Sequence, residues 1–182
     1  MSQKTVLIIL GNGFEEIEAL APADLLRRAE VSCKTASVEP DRWVTGRSGI
    51  RVEADAFLHE VEDQRFDALI IPGGPGTAEL RKNPHVLEVV RVHRKEDKII
   101  GAICAAPTVL LDAGVLPGPK HTGHMSILSE LPEIDQEQAV VVDGKVITSR
   151  GAGTAIEFGL AVAFVLTGQE VAEGVAKSIH YV

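Results

Sequence analysis

Ile99-Ile100-Gly101-Ala102-Ile103-Cys104-Ala105-Ala106-Pro107 joins an apolar, largely β-branched run to a helix-forming one, with a cysteine at the junction. A short apolar run of this kind, ended by turn residues, reads as a strand buried on both faces. Cys104 therefore stands on the turn between a buried strand and a helix, at the carboxyl edge of a sheet, where open α/β folds bind ligands. Unpaired N–H groups and the partial positive charge of a first helical turn favour a thiolate. The position thus predicts a thiol pKa lowered from about 8.5 toward neutrality. The competing reading is a small apolar residue in the core.

Outward from this junction, the chain repeats strand then helix. Residues 5–10 form an apolar strand, 15–29 a helix and 32–38 a second strand. A short extended stretch is expected at 50–53, a turn region at 57–61 and a buried strand at 67–71, closed by Pro72-Gly73-Gly74-Pro75-Gly76. Asn83-Pro84 pairs a capping residue with proline at the first helical position, and Val86, Val89 and Val90 give the helical apolar stripe. After the 99–104 strand and a helix to about Ala113, residues 139–148 read as a hairpin with Asp143-Gly144 at its turn. Residues 153–166 and 170–179 are helical. Alternation of helices with wholly apolar strands predicts an α/β fold with a parallel sheet covered on both faces, as a single domain over residues 1–182.

Composition narrows the function. Eighteen basic against twenty-six acidic residues give a net charge of −8, which repels phosphate backbones and disfavours nucleic-acid binding. The basic clusters Arg81-Lys82 and Arg91-Val92-His93-Arg94-Lys95 read as a solvated helix face. The apolar run at 6–10 is far too short for a membrane span, and without a basic segment before it or a small-residue cleavage site after it the run does not read as a signal peptide, so a cytoplasmic protein is expected. Cys33 and Cys104 make no disulfide framework; Cys33 reads as a structural thiol on a strand, and no zinc-type spacing occurs.

Two glycine turns resemble nucleotide sites and fail as such. Gly11-Asn12-Gly13-Phe14-Glu15-Glu16 carries Glu16 at the third glycine position, with Glu15 and Glu18 beside it, where a pyrophosphate would be repelled. Pro72-Gly73-Gly74-Pro75-Gly76-Thr77 lacks the P-loop lysine, so no nucleotide cofactor is expected. Glu15 and Glu18, three apart, share a helix face, while Glu16 points roughly 100° away. Acids in a first turn ordinarily complement the helix dipole. A carboxyl facing a thiolate would instead be pushed toward its protonated form and serve as an acid. Pro22 removes the helical partner of the Glu18 carbonyl and predicts a local irregularity. His121 and His124 both lie where the chain can return to the sheet edge. Either would complete a set of nucleophile, proton shuttle and acid.

Five ordered motifs resemble the ThiJ/PfpI superfamily, in the branch of the Parkinsonism-associated protein deglycase and its bacterial relatives. They are Gly13-Phe14-Glu15-Glu16-Ile17-Glu18, Asp24-Leu25-Leu26-Arg27-Arg28, Leu69-Ile70-Ile71-Pro72-Gly73-Gly74, Ala102-Ile103-Cys104-Ala105-Ala106-Pro107 and Thr148-Ser149-Arg150-Gly151-Ala152-Gly153-Thr154. The resemblance implies a flavodoxin-like three-layer sandwich, a homodimer, and a reactive Cys104 on a nucleophile elbow. It implies a protonated Glu18 touching that cysteine, Glu15 as a second pocket carboxyl, and Gly73 and Gly74 N–H groups for an oxyanion. It further implies His124 as the pocket histidine, Ala105 beside the substrate, and Arg28 near the dimer contact. Ala105 replaces the histidine of the peptidase-like branch and the hydroxyl residue of isocyanide hydratases, and His180 lacks the His-x-Glu pair of glutamine amidotransferases. Arg47 precedes Ser48, the reverse of the usual order, so no anion-binding role is assigned to Arg47.

The expectation is a cofactor-independent enzyme acting on a small dicarbonyl such as methylglyoxal, or on glycated protein. The alternative is a redox-sensing stress protein or chaperone switched by oxidation of Cys104.

Overall fold

The computed structural model describes residues 3–181, so residues 1, 2 and 182 of the expected span lie outside the described residues. The strands are β1 (Thr5–Leu10), β2 (Ser32–Ser37), β3 (Trp43–Thr45), β4 (Arg51–Glu53), β5 (Ala56–Phe57), β6 (Ala68–Ile71), β7 (Ile99–Ile103), β8 (Val140–Asp143) and β9 (Val146–Ser149). The helices are α1 (Glu16–Arg28), α2 (Leu58–Val61), α3 (Thr77–Leu80), α4 (Pro84–Lys95), α5 (Pro107–Asp112), α6 (Ala155–Thr167) and α7 (Gln169–Ser178). Seven strands form one sheet in the order β5-β2-β1-β6-β7-β9-β8, parallel throughout except for the β8–β9 hairpin. β3 and β4 form a separate antiparallel pair.

The central strands β1, β6 and β7 are apolar on both faces because each face has its own helical layer. Leu7, Ile9, Leu69, Ile71 and Ile100 pack against Leu80, Val86, Val90, Val109 and Leu110 of α3, α4 and α5. Val6, Ile8, Ile70 and Ile103 pack against Leu26 of α1, Phe158 and Val162 of α6, and Val175 of α7. This is the flavodoxin-like three-layer sandwich that the sequence predicts. Asn83 caps α4 as expected, its side chain accepting from the N–H groups of His85 and Val86. Gly101 makes room for the second layer: a Cβ there would lie 2.9 Å from Cζ of the fully buried Phe158 ring.

Several local expectations are corrected. The 57–61 region is not a turn but β5 and α2, started by Glu60 Oε2 accepting the Phe57 N–H at 3.0 Å. The extended stretch at 50–53 is the second strand of the β3–β4 hairpin, whose first strand was not expected, and α3 adds an unexpected helical turn. α1 continues unbroken through Pro22, without the predicted irregularity. Within the basic clusters, His93 is buried, with Nδ1 2.8 Å from the Val89 carbonyl, and Arg81 is held by two carboxylates; the remaining cations are solvated. Cys33 and Cys104 are both free thiols, and burial pushes Cys33 up to about 11. No helix among the described residues is long and apolar enough to cross a membrane.

From β1 the chain moves outward to β2 on one side, while β6 lies on the other. That reversal opens a crevice beyond the carboxyl ends of β1, β6 and β7, the place where such sheets bind ligands.

The contact across Gly101 gives a first test. Gly101→Ala should overpack the β7–α6 interface and cost about 1–3 kcal/mol, read from urea unfolding midpoints at unchanged slope.

Candidate active site

Three connections deliver their residues to this crevice. After β1, Glu15 starts α1 with an extended backbone, and its N–H bonds the Gly73 carbonyl at 3.0 Å. One turn further, Glu18 points into the protein with 1% of its surface exposed. After β6, the Gly73 N–H donates to Glu18 Oε2 at 2.8 Å. After β7, Cys104 takes up φ 65°, the left-handed region that a residue with a Cβ seldom enters. Its N–H bonds the Ser149 carbonyl at 2.9 Å, and its carbonyl accepts the His124 N–H at 2.8 Å, so both sides of the strained residue are pinned.

Gly73 has to be glycine. A Cβ there would lie 2.6 Å from Cys104 Cβ, 2.8 Å from Glu18 Oε2 and 2.9 Å from the Ile103 carbonyl oxygen. The missing side chain lets the Glu18 carboxyl and the Cys104 sulfur meet. It also corrects one expectation: the Gly73 N–H is taken by Glu18 and is not free for an oxyanion. The N–H groups facing the sulfur are those of Gly74 and Ala105.

Electrostatics bind the pair together. Burial raises the Glu18 carboxyl from 4.5 to about 7, against the pull of the Gly73 N–H and Cys104. Burial, followed by the charge of Glu18, pushes the Cys104 thiol up to about 12, against the Gly74 and Ala105 N–H groups. The helix-terminus argument alone predicts the opposite direction for Cys104, and desolvation outweighs it. The two groups titrate as one unit: the first proton leaves near 7 and the second is retained far above it. Between those limits the pair holds one proton and one negative charge: the Glu18 carboxyl ionises first and the Cys104 thiol keeps its proton, the Gly74 and Ala105 N–H groups opposing its upward shift only in part.

Around the pair lies a cavity of about 360 Å³ bordered by Arg47, Pro75, Ala105, Thr108 and His124. His124 also borders an adjoining cavity with Arg150, Gly151 and Thr154. A Cβ built on Gly151 would stand 3.8 to 3.9 Å from Glu18 Oε1, His124 Cδ2 and Cys104 Sγ, so the three side chains converge on one small space. The Ser126 N–H donates to His124 Nδ1 at 3.2 Å, which puts the proton of the neutral ring on Nε2. His121 is buried elsewhere, its Nδ1 2.8 Å from the Pro119 carbonyl, and does not border this cavity.

Glu15 accepts from Arg47 Nη1 at 3.1 Å. Arg47, given no role from sequence, thus stands at the mouth of the pocket. The β3–β4 turn brings it there: the Arg47 N–H bonds the Phe14 carbonyl at 2.9 Å, and the Ser48 N–H bonds buried Glu16 at 2.8 Å. No local pattern in the sequence signals this docking. Arg28 is not brought to the pocket within this chain; it pairs with Asp24 at 2.8 Å on the exposed face of α1, about 15 Å of helix rise beyond Glu18. Thr77 and Thr108 are further unanticipated members, their hydroxyls donating to the Gly74 and Ala105 carbonyls at 2.7 Å each and fixing the two residues whose N–H groups face the sulfur. Among the described residues no group of three or more His, Cys, Asp or Glu side chains is arranged to hold a metal ion.

Comparison with known proteins identifies the family and the fold. The model of the DJ-1/PfpI family matches residues 4–164. Protein dj-1beta of Drosophila melanogaster is 36% identical over 181 residues, covering 97% of this chain and 96% of that protein. Its crystal structure superposes with a TM-score of 0.96 at 35% identity, covering 100% of both chains. The glutathione-independent glyoxalase DJR-1.2 of Caenorhabditis elegans is 36% identical over 184 residues, covering 98% of this chain and 97% of that protein. The structure of oxidized Toxoplasma gondii DJ-1 superposes with a TM-score of 0.93 at 35% identity, covering 98% of both chains.

The raised Glu18 pKa has a consequence for stability. A carboxyl whose folded value exceeds its unfolded one favours the fold fully below 4.5, and that contribution is lost as pH rises through about 7. Native stability should therefore decline between those pH values. Glu18→Gln should flatten that part of the profile, measured by chemical unfolding at several pH values; an unchanged slope would place the titration elsewhere.

Proposed function

This chain belongs to the DJ-1/PfpI family, and we propose that it is a cofactor-independent, cysteine-dependent enzyme that converts reactive dicarbonyls such as methylglyoxal to hydroxyacids. The observation that carries the reading is the contact between Cys104, on its left-handed elbow, and a buried carboxyl that keeps its proton to about 7. The relative named as a glutathione-independent glyoxalase supports it. Action on glycated protein is a related activity that consumption of free dicarbonyl would mimic.

The chemistry follows from the shared proton. The Glu18 carboxylate takes the Cys104 thiol proton as the sulfur attacks the aldehyde carbon; the S–C bond forms and the carbonyl π pair moves to oxygen. The Gly74 and Ala105 N–H groups, released from the sulfur charge, stabilise that oxyanion, and Glu18 supplies its proton to give a hemithioacetal. Glu18, now a carboxylate, removes the hydrogen from the former aldehyde carbon. That proton is returned to the neighbouring carbon, while His124 Nε2 gives its proton to the oxygen on that carbon and regains one from the hydroxyl on the former aldehyde carbon. The product is a thioester of the hydroxyacid on Cys104. Water hydrolyses it, releasing the hydroxyacid and restoring the pair, so the net reaction joins one dicarbonyl and one water to give one hydroxyacid.

Assembly is part of the proposal. Ile17 and Leu20 on α1 and Ile156 and Phe164 on α6 are exposed apolar side chains on adjacent helices, and they support a homodimer through this face, with Arg28 nearby. The reading also keeps the protein in a reducing cytoplasm, with both thiols free.

A second reading is favoured by the same carboxyl. Two equivalents of peroxide would take the Cys104 thiolate to a sulfinate and release two of water, with protonated Glu18 donating to a sulfinate oxygen. Cys104 would then be an oxidation sensor.

Hydroxyacid formation from methylglyoxal, measured beside Cys104→Ser and Glu18→Gln, separates the two. Turnover in the native protein and a loss of at least about a hundredfold in both variants supports the enzyme. No native turnover would overturn it and favour the sensor. His124→Ala should cut kcat well beyond His121→Ala; equal effects would remove His124 from the mechanism.

A further inference from the structure

Arg81 follows α3 and belongs to none of the motifs that mark the site. Its side chain is only 26% exposed, and two carboxylates occupy it. Nε and Nη2 donate to Asp112 Oδ2 and Oδ1 at 2.6 and 3.1 Å, and Nη1 and Nη2 donate to Glu130 Oε1 and Oε2 at 2.9 and 2.6 Å. Two forked pairs on one planar guanidinium fix both its position and its plane, which an ammonium could not do.

The three residues lie on the three segments that build the site. Arg81 ends the connection that supplies the Gly73 and Gly74 N–H groups. Asp112 closes α5, the helix that follows Cys104. Glu130 ends the turn that follows His124. Of the converging side chains, His124 has the weakest anchorage of its own: it is exposed, and its ring bonds only Ser126, on the same segment. Where the imidazole stands therefore depends on how that segment is tied down. The His124 N–H does so at its start by bonding the Cys104 carbonyl, Ile127 and Leu131 do so through the core, and Glu130 does so through Arg81.

We propose that Arg81 is a positioning residue for the Cys104 site, holding the His124 segment in place through Glu130. The kinetic part of the test rests on the dicarbonyl reading; the spectroscopic part does not. Arg81→Met and Glu130→Gln are each expected to lower kcat about tenfold with KM little changed, and Asp112→Asn less, since it leaves the Arg81–Glu130 pair intact. In a His124→Ala background, Arg81→Met should cause no further loss, because it acts through that ring. Alkylation of Cys104 by iodoacetamide should stay within about twofold of native, the Cys104 N–H being held by Ser149, on a segment the clamp does not touch. Losses that add to His124→Ala, or alkylation that falls in parallel, would overturn the proposal. If the native protein shows no turnover, the dicarbonyl reading falls and imidazole ¹⁵N spectra decide the clamp. Native His124 should show a single Nε2–H tautomer that Arg81→Met disperses; an unaltered signal would overturn it. Should Arg81→Met fail to fold by circular dichroism, Glu130→Gln carries the same measurements alone.

Discussion

The contact between the Glu18 carboxyl and the Cys104 sulfur, both out of water, is the constraint on which the site depends. An ionised carboxylate in that position would have one strong donor, the Gly73 N–H, and a sulfur that competes for the same charge. The protein meets this by keeping one proton on the pair. From that choice follow a glycine at 73, because any Cβ would separate the two groups, and an α1 that begins so that Glu18 is turned inward. A left-handed residue at 104 follows as well, because only that turn brings the sulfur over the sheet edge.

Holding a cysteine in that conformation costs on the order of 1–3 kcal/mol, and burying an acid adds to it. The surrounding structure makes the strain sustainable through specific bonds. The Cys104 N–H and carbonyl are each paired, to Ser149 and to the N–H of His124, so releasing the elbow would break backbone bonds at two other segments. Beneath it, β7 is buried along its whole length between two apolar layers. The strain is concentrated at the one residue whose sulfur gains by it.

Features encoded in adjacent residues were legible in the sequence. Apolar runs of strand length, Asn83-Pro84, and the Asp143-Gly144 turn each carry their own physics, and the parallel sheet follows from their order. The placement of Glu18 beside Cys104 came from the motifs, and the turn after β6 showed why a glycine stands there. What could not be read depends on contacts between distant segments. Arg47 reaches Glu15 because the β3–β4 turn docks on the loop after β1, and nothing near Arg47 announces it. Arg81 looked like a surface cation because its two carboxylates lie far along the chain. The direction of the Cys104 shift is hidden for a related reason: a helix terminus is visible in sequence, whereas the depth of burial that outweighs it is not.

The ends of the sheet bear on how this protein can join with others. β5, at one border, pairs through two residues, and β8, at the other, is four residues long and closed by a hairpin with Asp143 and Lys145 at its bend. Neither border offers a long row of unpaired backbone groups on which a foreign strand could template. Growth by strand addition, the usual route from an apolar sheet to fibrous aggregate, finds only a short template at either side. Association is left to side chains on helical surfaces, which can dictate a finite stoichiometry where a bare strand border would permit indefinite polymerisation.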